Sequence, residues 1–217
     1  MPTVGLTGNF GMGKSTVLHL FNELGAFTYD VDDFVHNILE NPETIERIAK
    51  ALGRNVLAGS PGNISINKKR AADIIFNDPR KRSAVEKIIH PEVLKKIKLI
   101  ESGMLHKAPP ALIMFEVPLL FEAGYEKVFD RIIVVYCNRD TAIKRLAGKG
   151  FSRDEAMKRI RAQMPVSAKK KLADFVINNN DDPEKTRLQV MEIYDKLATS
   201  CKAQRHRVAK AQSKRKG

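Results

Sequence analysis

The chain has 217 residues, of which 43% are hydrophobic and 29% are charged. This composition is ordinary for one folded globular domain and excludes a disordered chain. No apolar run approaches the ~20 residues of a membrane-spanning helix, and the opening residues MPTVGLTG lack the features of a secretory signal. Two cysteines, Cys137 and Cys201, are too few for a disulfide framework or a four-ligand zinc site, so we expect a protein of the reducing cytoplasm.

The net charge of +13 is unevenly distributed along the chain. Eight basic residues and no acidic ones lie between Lys196 and the end of the chain, which leaves a net charge of +5 on residues 1–195. A modest positive excess suits an enzyme with polyanionic substrates. The basic tail, residues 196–217, could contact nucleic acid or another acidic surface, or it could form a solvated terminus.

The first thirty residues predict a strand, a helix and a second strand. TVGLTG at 3–8 is a short apolar strand that ends in glycine, and apolar residues at helical spacing then predict a helix that stops at Gly25. Ala26–Asp30 predicts the second strand. Because the second strand of such folds normally lies beside the first, we expect its carboxyl end near the loop that follows strand one.

The middle of the chain predicts helices on either side of a loop. Asn41-Pro42 indicates a cap and a first-turn proline for a helix that ends near Gly53, and the Gly-, Pro- and Asn-rich residues 54–66 predict a loop. Residues 67–107 predict an inserted helical subdomain. In it Asp78-Pro79 begins a helix and His90-Pro91 separates two helices.

The second half of the chain alternates strands with helices. Ala111–Glu116 and Arg131–Cys137 are continuous apolar runs, which are typical of buried parallel strands. The remaining predicted elements are a helix at about 140–147, a basic helix opened by the capping box 152–155, a short strand at 175–178 and a terminal helix from Pro183. Strands that alternate with helices predict an open α/β sheet.

The motif that points to chemistry is GNFGMGKS at residues 8–15, which matches G-x-x-x-x-G-K-[ST]. Small residues let several backbone N–H groups surround a phosphate, and the following helix adds a favourable dipole. We predict that Lys14 reaches the β- and γ-phosphates of a nucleotide, that Ser15 holds Mg²⁺ and that Thr16 lies beside them. The predicted nucleotide-binding residues are Gly8, Gly11, Met12, Gly13, Lys14, Ser15 and Thr16.

Other sequence features favour a small-molecule kinase over a regulatory GTPase. No glycine has an aspartate three positions before it, so the D-x-x-G motif is absent, and Asn67-Lys68 is not followed by x-Asp. The second strand ends in carboxylates: Asp30 is its last residue, and Asp32 and Asp33 come just after it. Asp32 could accept the proton of an attacking hydroxyl group, or it could cap the helix that begins there.

Two further groups of charged residues leave alternatives open. Glu116 could lie near the metal ion or be a partly exposed acid at a strand end. The basic helix carries Lys158, Arg159 and Arg161, which could stabilise charge on a transferred phosphoryl group or form a solvated face. His90 is more typical of a cap or hinge than of a catalyst.

With these residues assembled, the sequence resembles the dephospho-CoA kinase family over residues 3–195. The resemblance is carried, in chain order, by GLTGNFGMGKST at 5–16, YDVDDFVHNIL at 29–39, KRAADIIFNDPRKRSAVEKIIHP at 69–91, VPLLFEAGYEKVFD at 117–130, RDEAMKRIRAQMP at 153–165 and ADFVINN at 173–179.

The resemblance implies transfer of the ATP γ-phosphate to the ribose 3′-hydroxyl of dephospho-CoA. It also implies an α/β fold with a P-loop NTPase core, whose parallel sheet has about five strands flanked by helices. On the same ground, residues 1–195 form a single kinase domain, in which 67–107 is a helical CoA-binding insertion and about 140–170 is a lid. The implied small molecules are ATP, Mg²⁺ and dephospho-CoA; the oligomeric state stays open.

Individual roles follow from the matched motifs. Asp32 matches the second acid of the family's Asp-Ala-Asp and is the implied general base. Arg159 and Gln163 match the lid helix, whose arginine is expected to meet the phosphates. Arg70 and His90 match the region associated with the acceptor substrate.

The sequence also departs from the family pattern. Asn9 replaces a usual glycine of the loop, Met12 a usual small residue, and Val31 the alanine between the acids. Since Met12 can still offer its backbone N–H, we expect retained ATP binding with altered affinity. The basic tail, residues 196–217, lies outside the pattern.

Two rival functions remain at this stage. The first is another small-molecule P-loop kinase, such as one that phosphorylates a nucleotide. The second is a nucleic-acid-binding ATPase that uses the basic tail. Aromatic residues make up 6% of the chain and tryptophan is absent, which argues against stacking on single strands.

Overall fold

The computed structural model describes residues 2–60, 62–104, 112–180 and 182–213, with side chains in the last range described as far as residue 199. These residues divide into two compact units, one within 1–30 and 104–217 and the other within 31–103. In the part of the chain so described, no helix has both the length and the apolar composition needed to cross a bilayer.

Strands and helices alternate along most of the chain. In order they are β1 (Thr3–Thr7), α1 (Lys14–Glu23), β2 (Phe27–Asp30), α2 (Val31–Glu40), α3 (Pro42–Leu52), a 3₁₀ turn (Arg54–Val56), β3 (Leu57–Ser60), β4 (Asn63–Ile66), α4 (Lys68–Asn77), α5 (Pro79–Met104), β5 (Ile113–Glu116), β6 (Arg131–Tyr136), α6 (Arg139–Ala147), α7 (Arg153–Arg161), α8 (Val166–Leu172), β7 (Phe175–Asn178) and α9 (Pro183–Ser213).

The first unit contains a parallel five-stranded sheet with the order β2-β5-β1-β6-β7. The α/β fold class and the strand count are therefore confirmed. The prediction that strand two lies beside strand one was wrong, because β5 lies between β2 and β1. All four residues of β5 are buried, as a central strand requires, whereas the edge strand β2 is only partly buried.

The two faces of this sheet are covered differently. On one face, buried side chains of β1, β5, β6 and β7 pack against α1 and α9, through Phe21 and Val190 among others. On the other face Gly5 leaves room for Leu120 and Phe129, whose atoms would lie 2.6 Å and 2.8 Å from an added Cβ. The middle of β1 is thus packed tightly on both sides, which fixes the start of the loop that follows it.

Helix ends follow the local sequence signals. Gly25 ends α1 with a φ of 94°, and Asn41 accepts main-chain N–H groups at the start of α3. Ser152 and Glu155 form the predicted capping box of α7, and hydrogen bonds from the Ser152 N–H and hydroxyl hold the pKa of Glu155 below its usual value. The ionised Glu155 carboxylate therefore stabilises the folded protein. This stabilisation is fully present above the pKa that Glu155 has in the unfolded chain, and it is lost as the pH falls through the lower pKa of the folded protein.

In the second unit, the loop predicted at 54–66 was wrong. Leu57–Ser60 and Asn63–Ile66 pair as an antiparallel hairpin, β3–β4. Gly59 and Gly62 have φ values of 103° and 90°, so glycines that indicate a loop here shape the hairpin and its turn.

The predicted break at His90-Pro91 was also wrong, since α5 continues through Pro91 to Met104. Val85 and Ile88, before the proline, pack against the cluster of Ile48, Leu52 and Val56. Val93 and Ile97, after it, are buried as well. Burial of both halves outweighs the hydrogen bond that proline removes.

Candidate functional site

The loop between β1 and α1 is fixed by contacts from distant parts of the first unit. The Met12 carbonyl accepts a hydrogen bond from Asn179 Nδ2 at 3.0 Å, and Asn179 Oδ1 accepts one from Thr186 Oγ1 at 3.1 Å. The Met12 N–H donates to the Asn9 carbonyl at 3.2 Å, which closes a turn inside the loop. The side chain of Met12 is buried against Cys137 and Ala142. The Met12 side chain therefore packs into the core while its main chain shapes the loop.

Gly13 sits where a side chain has no room. Its φ is 82°, and a Cβ at this position would collide with Asn179 Nδ2 and approach Arg145 Nη1 to 3.3 Å. Backbone of this conformation strains any residue that has a Cβ. Gly13 thus allows Asn179 to approach the loop at the point where α1 begins.

We expect Gly13→Ala to abolish measurable ATP binding, because the methyl group displaces Asn179 and strains the loop. Gly148→Ala is the matched control: Gly148 has a φ of −63°, and the nearest atom to its added Cβ would be the Arg145 carbonyl oxygen at 3.5 Å. Calorimetric titration with ATP should show loss of binding for the first variant only. Equal affinities in the two variants would contradict this account of the loop.

Two residues of the loop motif, Lys14 and Ser15, meet Glu116, which was considered separately in the sequence, near the ends of β1 and β5. Lys14 Nζ lies 3.8 Å from Glu116 Oε1, and the Ser15 hydroxyl donates to the same oxygen at 3.5 Å. Lys14 and Glu116 are buried, whereas Ser15 is exposed. A cation, a hydroxyl and a carboxylate at the mouth of a phosphate-binding loop can neutralise phosphate charge and offer oxygen ligands to a metal ion.

Arg159 lies beside the same loop and is held by aromatic rings. Its guanidinium carbon is 5.2 Å from the ring centre of Phe10 and 4.8 Å from that of Phe151. The two rings meet edge to face. In addition, the Phe10 N–H donates to Gln163 Oε1 at 2.7 Å. The two residues assigned to the basic helix and its end, Arg159 and Gln163, thus both contact Phe10 of the loop.

A cavity of about 810 Å³ adjoins the loop at Asn9 and Met12. Apolar side chains such as Met12, Ala142 and Ile160 line part of it, and its charged lining residues are all basic: Arg139, Arg161, Lys170 and Lys171. The surface next to the loop therefore carries positive charge, which favours a polyanionic ligand.

The other predicted site residues lie in the second unit. Asp32 is exposed in the first turn of α2. Arg70 is exposed on α4, and its Nη1 donates to the Asn55 carbonyl at 3.1 Å. His90 is half-buried within α5. In the first unit, Asp30 ends β2 directly opposite Glu116 of β5.

Sequence reasoning missed Asn179, which bonds the loop at Met12, and Thr186, which bonds Asn179. It also missed an ion pair outside the loop, between Lys169 and Glu122. Asn179 and Glu122 lie inside the motifs ADFVINN and VPLLFEAGYEKVFD, respectively. The sequence therefore pointed to both motifs but not to the contacts that these two residues make. Lys169 is the first of three consecutive lysines, and no local signal separates it from Lys170 and Lys171.

Metal-ligating and thiol chemistry have few candidates. Among residues 2–60, 62–104, 112–180 and 182–199, no group of three or more His, Cys, Asp or Glu side chains could hold a metal ion.

Burial raises the pKa of the Cys137 thiol, and the nearby Arg145 opposes the shift. Cys137 is buried and free, so we assign it a packing role.

Comparison with known proteins gives concordant matches. The family model CoaE, dephospho-CoA kinase, matches residues 2–184. A dephospho-CoA kinase of Aquifex aeolicus is 36% identical over 91% of this chain and 98% of its own length. The dephospho-CoA kinase of Carboxydothermus hydrogenoformans is 39% identical over 90% of this chain and 94% of its own length. The crystal structure of TT1252 from Thermus thermophilus matches with a TM-score of 0.76 and 32% identity, over 88% of this chain and 95% of that one.

Proposed function

The chain belongs to the dephospho-CoA kinase family, and on this premise we propose that it transfers the γ-phosphate of ATP to the ribose 3′-hydroxyl of dephospho-CoA, the last step of coenzyme A synthesis. The observation that carries the proposal is the meeting of Lys14, Ser15 and Glu116 at the phosphate-binding loop. We place the reaction in the cytoplasm, in keeping with the sparse cysteines.

The nucleotide is proposed to bind through the loop from Gly8 to Thr16. Its phosphates would accept hydrogen bonds from loop N–H groups at the start of α1, where the helix dipole favours negative charge. Lys14 would neutralise the β- and γ-phosphates. Because Lys14 is buried, water screens its charge less, and its attraction for the phosphates is stronger. Arg159, which lies beside Phe10 of the loop, would add further positive charge.

The residues present fit a magnesium ion. The Ser15 hydroxyl and the Glu116 carboxylate, 3.5 Å apart, are hard oxygen donors. Magnesium usually takes only one or two protein ligands and completes its shell with water and substrate phosphates. Bound there, it would neutralise the phosphate charge that develops during transfer.

The transfer itself is in-line displacement. The 3′-oxygen forms a bond to the γ-phosphorus while the bond between that phosphorus and the β–γ bridging oxygen breaks, so that ADP leaves with the electron pair. Asp32 takes the proton of the 3′-hydroxyl. Because such transition states need little covalent participation, the other residues act by positioning and charge neutralisation.

The remaining assignments concern the acceptor and the lid. We assign Arg70 and His90 to the binding of dephospho-CoA, residues 67–107 to a CoA-binding region and about 140–170 to a lid that carries Arg159. The kinase domain is proposed to end near residue 195.

A direct assay tests this function. Purified protein is incubated with ATP, Mg²⁺ and dephospho-CoA, ADP release is measured by a coupled assay, and the new phosphate is located by phosphorus NMR. We expect a 3′-phosphate on the product. A panel of nucleoside and nucleotide acceptors serves as the comparison, and faster transfer to any of them would reassign the substrate.

A further inference from the structure

Lys169 is a buried lysine outside the phosphate-binding loop. Its side chain is 0% exposed, and its ammonium group lies 2.9 Å from Glu122 Oε1 and 3.4 Å from the Pro118 carbonyl oxygen. An ammonium group removed from water persists only with close partners. Lys170, next in the chain, lies instead over the ring of Tyr136, 3.7 Å from its centre. The ion pair with Glu122 is thus specific to one of the three consecutive lysines.

The same Glu122 oxygen also holds the main chain after α7. Oε1 accepts the Met164 N–H at 2.8 Å. The carbonyl group of Met164 in turn accepts a hydrogen bond from Asn9 Nδ2 at 3.0 Å. A continuous series of contacts therefore runs from Lys169 through Glu122 and Met164 to Asn9 in the loop.

Asn9 connects this series of contacts to the phosphate-binding loop. Its side chain is almost fully buried, and it stands at the position where the family usually has glycine. An asparagine side chain here anchors the loop, whereas glycine offers no group to bond. The adjacent Phe10 N–H donates to the side-chain oxygen Gln163 Oε1, so residues 163 and 164 contact two successive loop residues, the first through its side chain and the second through its carbonyl group.

We propose that Glu122 and Lys169 are positioning residues that fix the phosphate-binding loop in its ATP-binding conformation through Met164 and Asn9. The inference rests on the proposed role of the loop in ATP binding. A loop that is already ordered loses less conformational freedom when ATP binds, so removing the series of contacts should weaken ATP binding and leave dephospho-CoA binding intact.

The test is a double-mutant cycle between Glu122→Ala and Asn9→Ala. Each single variant is expected to raise the dissociation constant of a non-hydrolysable ATP analogue about three- to tenfold, the range for one lost hydrogen bond. The KM for dephospho-CoA should stay unchanged. The double variant should bind the analogue no more weakly than the weaker single variant, because both changes break the same series.

Thermal stability separates positioning from a purely structural role. Glu122→Ala should lower the melting temperature by the same amount in the wild-type and Asn9→Ala backgrounds, while it affects ATP affinity only where Asn9 is present. Glu192→Ala, which removes the exposed ion pair with Lys196 on α9, is the matched control and should leave ATP affinity unchanged.

Several outcomes overturn the proposal. Fully additive losses of ATP affinity would show that Glu122 does not act through Asn9. Unchanged ATP affinity in Asn9→Ala would also refute it. Since Asn9→Ala leaves the ion pair between Glu122 and Lys169 in place, this test remains available even if Glu122→Ala fails to fold. A wild-type protein that does not phosphorylate dephospho-CoA would refute the proposed function, whereas normal wild-type activity with unaltered ATP affinity in Asn9→Ala refutes this inference alone.

Discussion

Lys14→Ala is expected to lower kcat for dephospho-CoA phosphorylation by about a hundred- to a thousandfold, the scale for removing one preorganised charge-stabilising group. The loss should be large because Lys14 is buried and fixed 3.8 Å from Glu116. A buried ammonium group reorganises little during the reaction and is poorly screened by water. The Glu116 carboxylate would also lose its nearby cation, so its negative charge would repel the phosphates more strongly.

Steady-state kinetics with the coupled ADP assay measure this effect. Lys127→Ala removes an exposed lysine of the same unit and should retain wild-type kcat. A melting temperature of Lys14→Ala close to that of the wild type would show that the loss is not one of folding. If Lys14→Ala turned over at the wild-type rate, the loop would not be the phosphate site.

Local rules were sufficient for much of the fold. Glycine and capping residues at Gly25, Asn41 and Ser152 end or begin helices where the sequence predicted, because these signals act through the backbone of a few neighbouring residues. Continuous apolar runs likewise predicted β5 and β6, since a central parallel strand must be apolar on both faces.

The errors arose where distant contacts decide the structure. Pro91 stays inside α5 because residues on both sides of it are buried, which local propensity does not reveal. The place of β5 between β1 and β2 depends on how strands separated by more than eighty residues pair. The hairpin β3–β4 was missed because its glycines also suit an irregular loop.

The site residues also fall into those that a local motif predicts and those that depend on distant contacts. Gly13, Lys14 and Ser15 could be found because their chemistry requires them at fixed spacing in one short motif. Asn179 and Lys169 could not, because each acts through a contact with a residue more than forty positions away. Their own neighbours in sequence carry no sign of those contacts.

Asp32→Asn is expected to lower kcat by about a hundred- to ten-thousandfold, the range for loss of a general base. Asparagine keeps the shape and capping ability of aspartate but cannot accept the proton of the 3′-hydroxyl group. ATP affinity should therefore be unchanged, and so should the melting temperature. Stopped-assay kinetics together with calorimetric ATP titration measure the two quantities separately.

Asp33→Asn gives a closely matched control, because Asp33 lies in the same first turn of α2 and is also exposed. It removes the same charge from the same helix end, so any effect of Asp32→Asn that stems from the helix dipole should appear in both variants. A fall in kcat confined to Asp32→Asn identifies the base. Equal falls in the two variants, or wild-type turnover in Asp32→Asn, would leave Asp32 as a helix-terminal charge and require another acceptor for the proton.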